Sequence, residues 1–294
     1  MTGIIDSHFH IWRQTDLPWL LGPMKPRIFG NYQALKRDYP IAEYLADAQA
    51  QGVETAVYVQ ANWAPNSAVD EVAWVQAVAG RTGWPHGIVG YADFTVLDVR
   101  PALDRLKVYP LIRGVRQQLH WHENPQYRFA AQADLASDAN FQRNIARLAD
   151  YGWTFDLQVF APQFANAGEL VRSAPDVTFV LSHAGMPEDL SQDGRAFWAQ
   201  ELRALAKNPN IVVKLSGLGT FVHRNNPALI ADIVAETIKS FGPKRCMFGS
   251  NFPIEKLWTS YADLVAAYQA ATKDLSEAAR RAIFHGTAQR IYRL

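Results

Sequence analysis

Gly3-Ile4-Ile5-Asp6-Ser7-His8-Phe9-His10 is a short β-rich run that ends in polar residues, and the reading of the fold starts from it. Similar runs recur along the chain at Glu54–Gln60, Gly87–Phe94, Ile112–Leu119, Thr154–Phe160, Val177–His183, Ile211–Leu215 and Cys246–Asn251. Each is followed by a segment with helical spacing of apolar residues. Ile41, Tyr44, Leu45 and Ala48 share one face, as do Phe141, Ile145 and Leu148, and Ile230, Ile233, Val234 and Ile238. Gln51-Gly52, Tyr151-Gly152, Asn208-Pro209-Asn210 and Phe241-Gly242-Pro243 punctuate the ends of helices. Strands that alternate with helices need crossover connections and a parallel sheet. Eight such units in about 250 residues is the count of a (β/α)8 barrel of the TIM type, an α/β fold. An open doubly wound sheet is the competitor, but no G-x-G-x-x-G turn follows the first strand.

The rhythm runs through residues 1–294 without a linker or low-complexity break, so one domain is expected. Its longest irregular piece is 13–40, which holds Pro18, Pro23, Pro26 and Pro40. A long loop after the first strand of a barrel lies at the catalytic end, so 13–40 is expected over the C-terminal mouth. A chain of 294 residues can bury a large core without disulfides or a structural metal. Its 29 basic and 28 acidic side chains argue against a bulk electrostatic role on nucleic acid or an anionic membrane. The single cysteine, Cys246, excludes an internal disulfide framework and fits a reducing compartment. Met1–Asp6 carries no basic segment or long apolar run, and no stretch approaches 18 uninterrupted apolar residues. A soluble, cytoplasmic protein is the expectation. Helix surfaces containing Phe and Trp would permit a homo-oligomer.

In a barrel, polar residues at the C-terminal ends of strands point into a shared mouth. His8 and His10 are two apart and in a strand face the same way. Two such imidazoles can chelate a metal or aim two donors at one carbonyl oxygen. The sixth run is apolar until it ends in His183-Ala184-Gly185, which suits a mouth ligand better than a core strand. The seventh puts Lys214 and Ser216 on one face, and the fourth contributes Arg116 and Gln118. Arg116 can hold a carboxylate or oxygen of a substrate, with an ion pair at the barrel floor as the other reading. His120 and His122 stand beyond the fourth strand, where substrate contact or simple exposure fits them better than a metal. Asp156 and Gln158 on the fifth strand, and Gln60 and Asn62 on the second, complete the ring. Trp63, Trp121 and Trp258 are candidates for its roof.

Together these stretches resemble a known family. Asp6-Ser7-His8-Phe9-His10-Ile11-Trp12 is similar to the first-strand signature of the amidohydrolase superfamily. Gly114-Val115-Arg116, Leu181–Pro187, Val213–Leu218, Phe248–Pro253 and Ile283–Tyr292 resemble one branch of it. That branch contains sugar-acid lactonases, such as those acting on fuconolactone and rhamnonolactone, and 2-pyrone-4,6-dicarboxylate lactonase. The resemblance implies hydrolysis of a small lactone or related cyclic ester on a distorted barrel. Some relatives bind one divalent metal through first-strand histidines, a middle-strand histidine and an eighth-strand aspartate, and others work without metal. His8, His10 and His183 match the histidines. Asn251 stands where the usual Gly-Ser-Asp-Trp-Pro motif has its aspartate, and an amide cannot take a proton from water near neutral pH. The bridging lysine and fifth-strand histidine of two-metal relatives have no match.

Glu255, four residues beyond Asn251, could reach the site if the chain turns back over the mouth; a surface pairing with Lys256 or Lys244 is the alternative. Asp156 is the other candidate base, and Asp6 could orient an imidazole from behind. The expected reaction is lactone opening. His8, His10 and His183, with or without Zn2+, polarise the carbonyl while Glu255 or Asp156 deprotonates water. Arg116, Gln60, Lys214, His120, Gln158 and Trp63 are expected to contact the substrate. A metal-dependent amide hydrolase or decarboxylase on the same barrel, or a catalytically silent sugar-acid binder, are the competing readings.

Overall fold

In the computed structural model, which describes residues 3–294, the eight runs form one parallel sheet with its strands in chain order. Met1 and Thr2, where the absence of a signal segment was read, lie outside the described residues. The strands are β1 (Ile4–Phe9), β2 (Val53–Val59), β3 (Gly87–Gly90), β4 (Ile112–Gln118), β5 (Thr154–Gln158), β6 (Phe179–Leu181), β7 (Ile211–Leu215) and β8 (Cys246–Phe248). Between them run α1 (Ile41–Ala48), α2 (Ala68–Thr82), α3 (Arg100–Lys107), α4 (Ala139–Ala146), α5 (Phe164–Ser173), α6 (Gln192–Leu205) and α7 (Pro227–Phe241), with α8 (Tyr261–Ala271) after β8 and α9 (Thr287–Tyr292) near the C-terminus. The sheet closes where Asn251 donates its backbone N–H to His8 O at 2.7 Å and His10 donates to Phe252 O at 2.8 Å. The protein is a (β/α)8 barrel. Among the described residues no helix is long and apolar enough to cross a membrane.

Local chemistry starts and stops these helices. Asp138, Ser191, Asn226 and Ser260 each accept a backbone N–H from the first turn of the helix they precede. Gly52 and Gly152 end their helices with positive φ, a conformation that costs glycine little. The apolar faces of the helices pack against the outer face of the sheet, joining Tyr44, Phe141, Ile145, Ile230 and Ile233 to Phe155, Phe179 and Ile211. A separate cluster fills the barrel interior: Ile5, Val57, Val89, Val180, Val212 and Met247 meet Ala288, Ile291 and Tyr292 of α9. The C-terminal helix thus plugs one end of the barrel and leaves the other for chemistry.

Three strands fall short of their sequence runs by three or more residues. β3 stops at Gly90, β6 at Leu181 and β8 at Phe248, because the chain beyond each turns out of the pairing direction to form the mouth. The alternation along β1 is also broken, by a bulge between Asp6 and Phe9. Asp6 accepts no hydrogen bond from an imidazole, contrary to the expectation of a partner behind His8. Its carboxylate accepts from His8 N, Ser250 N, Ser250 Oγ, Tyr44 OH and Tyr261 OH, at 2.6–3.1 Å. Burial raises the pKa of Asp6 while these donors oppose the rise. The five bonds tie β1, the β8 end, α1 and α8 to one buried group.

Asp6→Ala would orphan those donors in a dry interior, at a cost on the order of 3–5 kcal/mol. Urea unfolding of the variant should show a lower midpoint of that size; a loss below about 1 kcal/mol would mean that barrel closure does not need this carboxylate.

Candidate active site

At the open end, three imidazoles meet. The ring of His8 lies 5.0 Å from that of His10 and 4.7 Å from that of His183, centroid to centroid. Each comes from a different local device. His8 stands in β1 within the bulge, and His10 follows the strand with its backbone held by Phe252. His183 sits at φ +55°, the first of four consecutive left-handed residues through Met186. Asn251 and Asn62, at the ends of β8 and β2, are left-handed as well. Non-glycine residues rarely adopt this conformation, and such strain collects at functional sites.

Orientation comes from the second ring nitrogens. His10 Nδ1 donates to Val59 O at 2.7 Å, because a carbonyl can only accept, and its Nε2 is therefore the lone-pair nitrogen. His183 Nδ1 lies 2.9 Å from Ser216 Oγ. Both ring nitrogens of His8 are buried without a partner. Burial, reinforced by Lys214 for His8 and by Arg116 for His183, lowers both rings well below the ordinary imidazole value; His10 is brought down to about 3 by burial and Arg116. The trio is neutral at physiological pH. Backbone geometry leaves no slack here: a Cβ on Gly217, at φ +64°, would stand 2.6 Å from His183 Nδ1, and one on Gly249 would stand 2.8 Å from His8 Cβ.

The donor chemistry fits one divalent cation. Neutral imidazoles with a lone pair on one nitrogen and an orienting partner on the other are what such a site uses. Such a cation would engage one of the two unpartnered nitrogens of His8 and leave the other without the orienting partner that His10 and His183 have. Among the described residues, however, no group of three or more His, Cys, Asp or Glu side chains is placed so that it could hold a metal ion.

Beside the trio, Glu255 is 1% exposed, so the alternative of a surface pairing fails: Lys256 instead binds Glu43 and Asp47. Trp258 Nε1 donates to Glu255 Oε2 at 2.9 Å, while Oε1 is buried without a hydrogen-bond partner. Burial raises the Glu255 pKa to about 7, opposed by Trp258, Asn251, Gly219 and Thr220. The Asn251 side chain interacts with both His10 and Glu255, so the amide lies between the imidazoles and the acid. Trp258 serves this acid and does not roof the mouth.

His10, His183 and Asn251 line a cavity of about 250 Å³ together with Arg116, Gln158 and His120. Arg116 is 3% exposed and donates to Gln60 O at 2.6 Å and Gln158 Oε1 at 3.3 Å; its Nε has no partner. Two residues expected at the mouth are held elsewhere. Lys214 Nζ donates to Asp156 Oδ2 at 2.6 Å and Tyr292 OH donates to Asp156 Oδ1 at 3.0 Å, all three buried against the plug. Both lie nearer the start of their strands than Ser216 and Gln158, which is why they face the floor. Gln60 and Trp63 line a neighbouring cavity, and Trp121 lies under Arg128 with its ring centroid 4.8 Å from the guanidinium carbon.

Residues given no site role from sequence form the walls: Trp12, Trp19 and Lys25–Phe29 from the first loop, Tyr127–Phe129 from the loop after β4, and Phe221. The first loop is pinned across the barrel end. Trp19 Nε1 donates to Ala61 O, Gln126 Nε2 to Arg27 O and His223 Nε2 to Ile28 O, and Trp12 and Tyr39 pair at its base. Its proline content gave a loop but no position for these contacts.

A (β/α)8 barrel with imidazoles gathered beyond its strand ends is the architecture of barrel enzymes, which as a class work at their C-terminal mouth. The chain belongs to the amidohydrolase family, whose model matches residues 5–294, and it is a hydrolase. It is 36% identical over 294 residues to uncharacterized protein y4mH of Sinorhizobium fredii, covering 99% of both chains. It is 31% identical to an L-fucono-1,5-lactonase of Burkholderia multivorans, over 99% of this chain and 96% of the relative. A crystal structure of an amidohydrolase from Burkholderia multivorans with bound zinc superposes with a TM-score of 0.83, at 29% identity and 99% coverage of each chain.

Gly217→Ala tests how His183 is held. The added Cβ would push the ring from its place, and misplacing a reacting group by about 1 Å costs roughly 10²-fold in rate. Hydrolytic turnover should fall by that order while the far-ultraviolet circular dichroism stays that of the parent; unimpaired turnover would show that His183 is not fixed by this contact.

Proposed function

We propose that the protein opens a small lactone of the sugar-acid type by attack of water at the barrel mouth. The observation that carries this is a buried acid with a pKa of about 7, joined through Asn251 to His10, behind a cavity that His10, His183 and a buried arginine line. The L-fucono-1,5-lactonase relative supports the choice of a cyclic ester.

The chemistry follows from where the groups stand. Glu255 Oε1 takes a proton from water as the water oxygen bonds to the lactone carbonyl carbon. The negative charge that develops on the carbonyl oxygen is met by the guanidinium of Arg116, which lines the cavity and has an unpartnered Nε. Collapse breaks the bond between the carbonyl carbon and the ring oxygen, and the proton on Glu255 passes to that oxygen, giving a hydroxy acid. Asn251, between Glu255 and His10, holds the acid in place without competing for the proton. Asp156 is not the base in this scheme, since Lys214 and Tyr292 occupy both its oxygens. Gln158 and His120 face the substrate from the strand ends, and the pinned segment of loop 13–40 keeps bulk water from the reacting carbon. A divalent cation on His8, His10 and His183 would supply Lewis-acid polarisation of the carbonyl when bound.

The base needs its ionised form, so kcat/KM should fall as pH drops through about 7 and level off above it. Glu255→Gln should lower lactone hydrolysis by about 10²–10⁴ and remove that limb. Full activity in the variant, read by a pH indicator on a panel of aldonolactones, rejects the assignment. Elemental analysis of the purified protein should find close to one divalent metal per chain, lost in His8→Ala; equal metal in both would put the cation elsewhere.

A further inference from the structure

Next to the histidine cavity lies a second one of about 280 Å³, and Trp19, Arg27, Asn62, Gln118 and Phe129 line both. Past this shared neck the walls are largely apolar, made by Pro18, Trp63, Ala64, Pro65, Ala68 and the Tyr91 ring. Its charged groups are already engaged. Glu71 Oε1 accepts from Tyr58 OH and Ala61 N, and the Arg27 guanidinium lies over the Trp19 ring at 5.0 Å. Phe129, at the neck, is 47% exposed and gives the entrance an apolar lip.

Substrate pockets span roughly 300–1,000 Å³, and the histidine cavity alone falls below that range while the two joined fall within it. A lone hydroxylated ring would leave the second chamber empty of contacts. We infer that this chamber is a substrate subsite that takes an apolar arm carried on the lactone ring. The inference rests on the lactone-hydrolase reading and adds the class of substrate. The ring sits against the imidazoles, the arm passes Arg27 and Gln118, and its carbon chain lies among Trp63, Tyr91 and the two alanines. Each methylene buried there should contribute roughly threefold in affinity.

The test uses δ-valerolactone, δ-octalactone and δ-decalactone as substrates. Their ring-opened acids, 5-hydroxypentanoate and 5-hydroxydecanoate, serve as calorimetric ligands that need no turnover. The parent protein should favour the five-carbon arm at least tenfold, in kcat/KM and in affinity. Ala68→Phe and Ala64→Phe, two independent ways of filling the chamber, should cut that preference below threefold. Equal values along the series in the parent, or a preference kept in both filled variants, overturns the subsite. Failure of the hydrolase reading is distinct: no lactone is turned over, while the titrations of the two acids still decide whether the arm is bound.

Discussion

The buried carboxylate of Asp6 is the constraint on which the rest depends. A parallel barrel must join its first and last strands, and here those strands are separated by more than two hundred residues of chain. Hydrogen bonds from Ser250, Tyr44 and Tyr261 converge on one side chain of β1 and fix that seam. Because His8 and His10 stand on one side of it and Asn251 and Glu255 on the other, the same bonds that close the barrel set the imidazoles beside the acid. Closure and site geometry are one problem with one solution.

Charge is layered along the barrel axis. The floor holds the apolar cluster and α9, then the Asp156–Lys214–Tyr292 group, then Arg116 and the histidines. Cationic groups beneath buried imidazoles disfavour their protonation, so the rings keep a lone pair for a cation or a donor for an oxygen. Glu255 goes the other way: burial disfavours its anion and brings its pKa to the middle of the physiological range. Environments that push acid and imidazole in opposite directions are how one site acquires groups that accept and return protons at neutral pH.

Much of this is legible in the sequence alone. The βα rhythm gave the barrel because apolar period reports local structure directly. The H-x-H pair and the histidine that ends the sixth run pointed to the mouth, and those rings do converge. The ends of β3, β6 and β8 were drawn too long, since residues that leave the pairing direction to build the mouth are no less β-rich than those that stay. Asp6 was placed behind an imidazole by simple alternation, which a bulge cancels. Lys214 and Asp156 looked like mouth residues because strand parity gives the face of the sheet but not the depth along the axis.

The sequence by itself determined the class of fold and the identity of the convergent histidines, because strand period and strand-end chemistry are local properties. Tertiary structure alone decided that Glu255 is buried, that Asn251 lies between it and His10, and that the loop of residues 13–40 carries Arg27 and Phe29 to the cavity wall. Those facts turn on which distant segments pack together, and the burial that tunes an acid or walls a cavity exists only once they have.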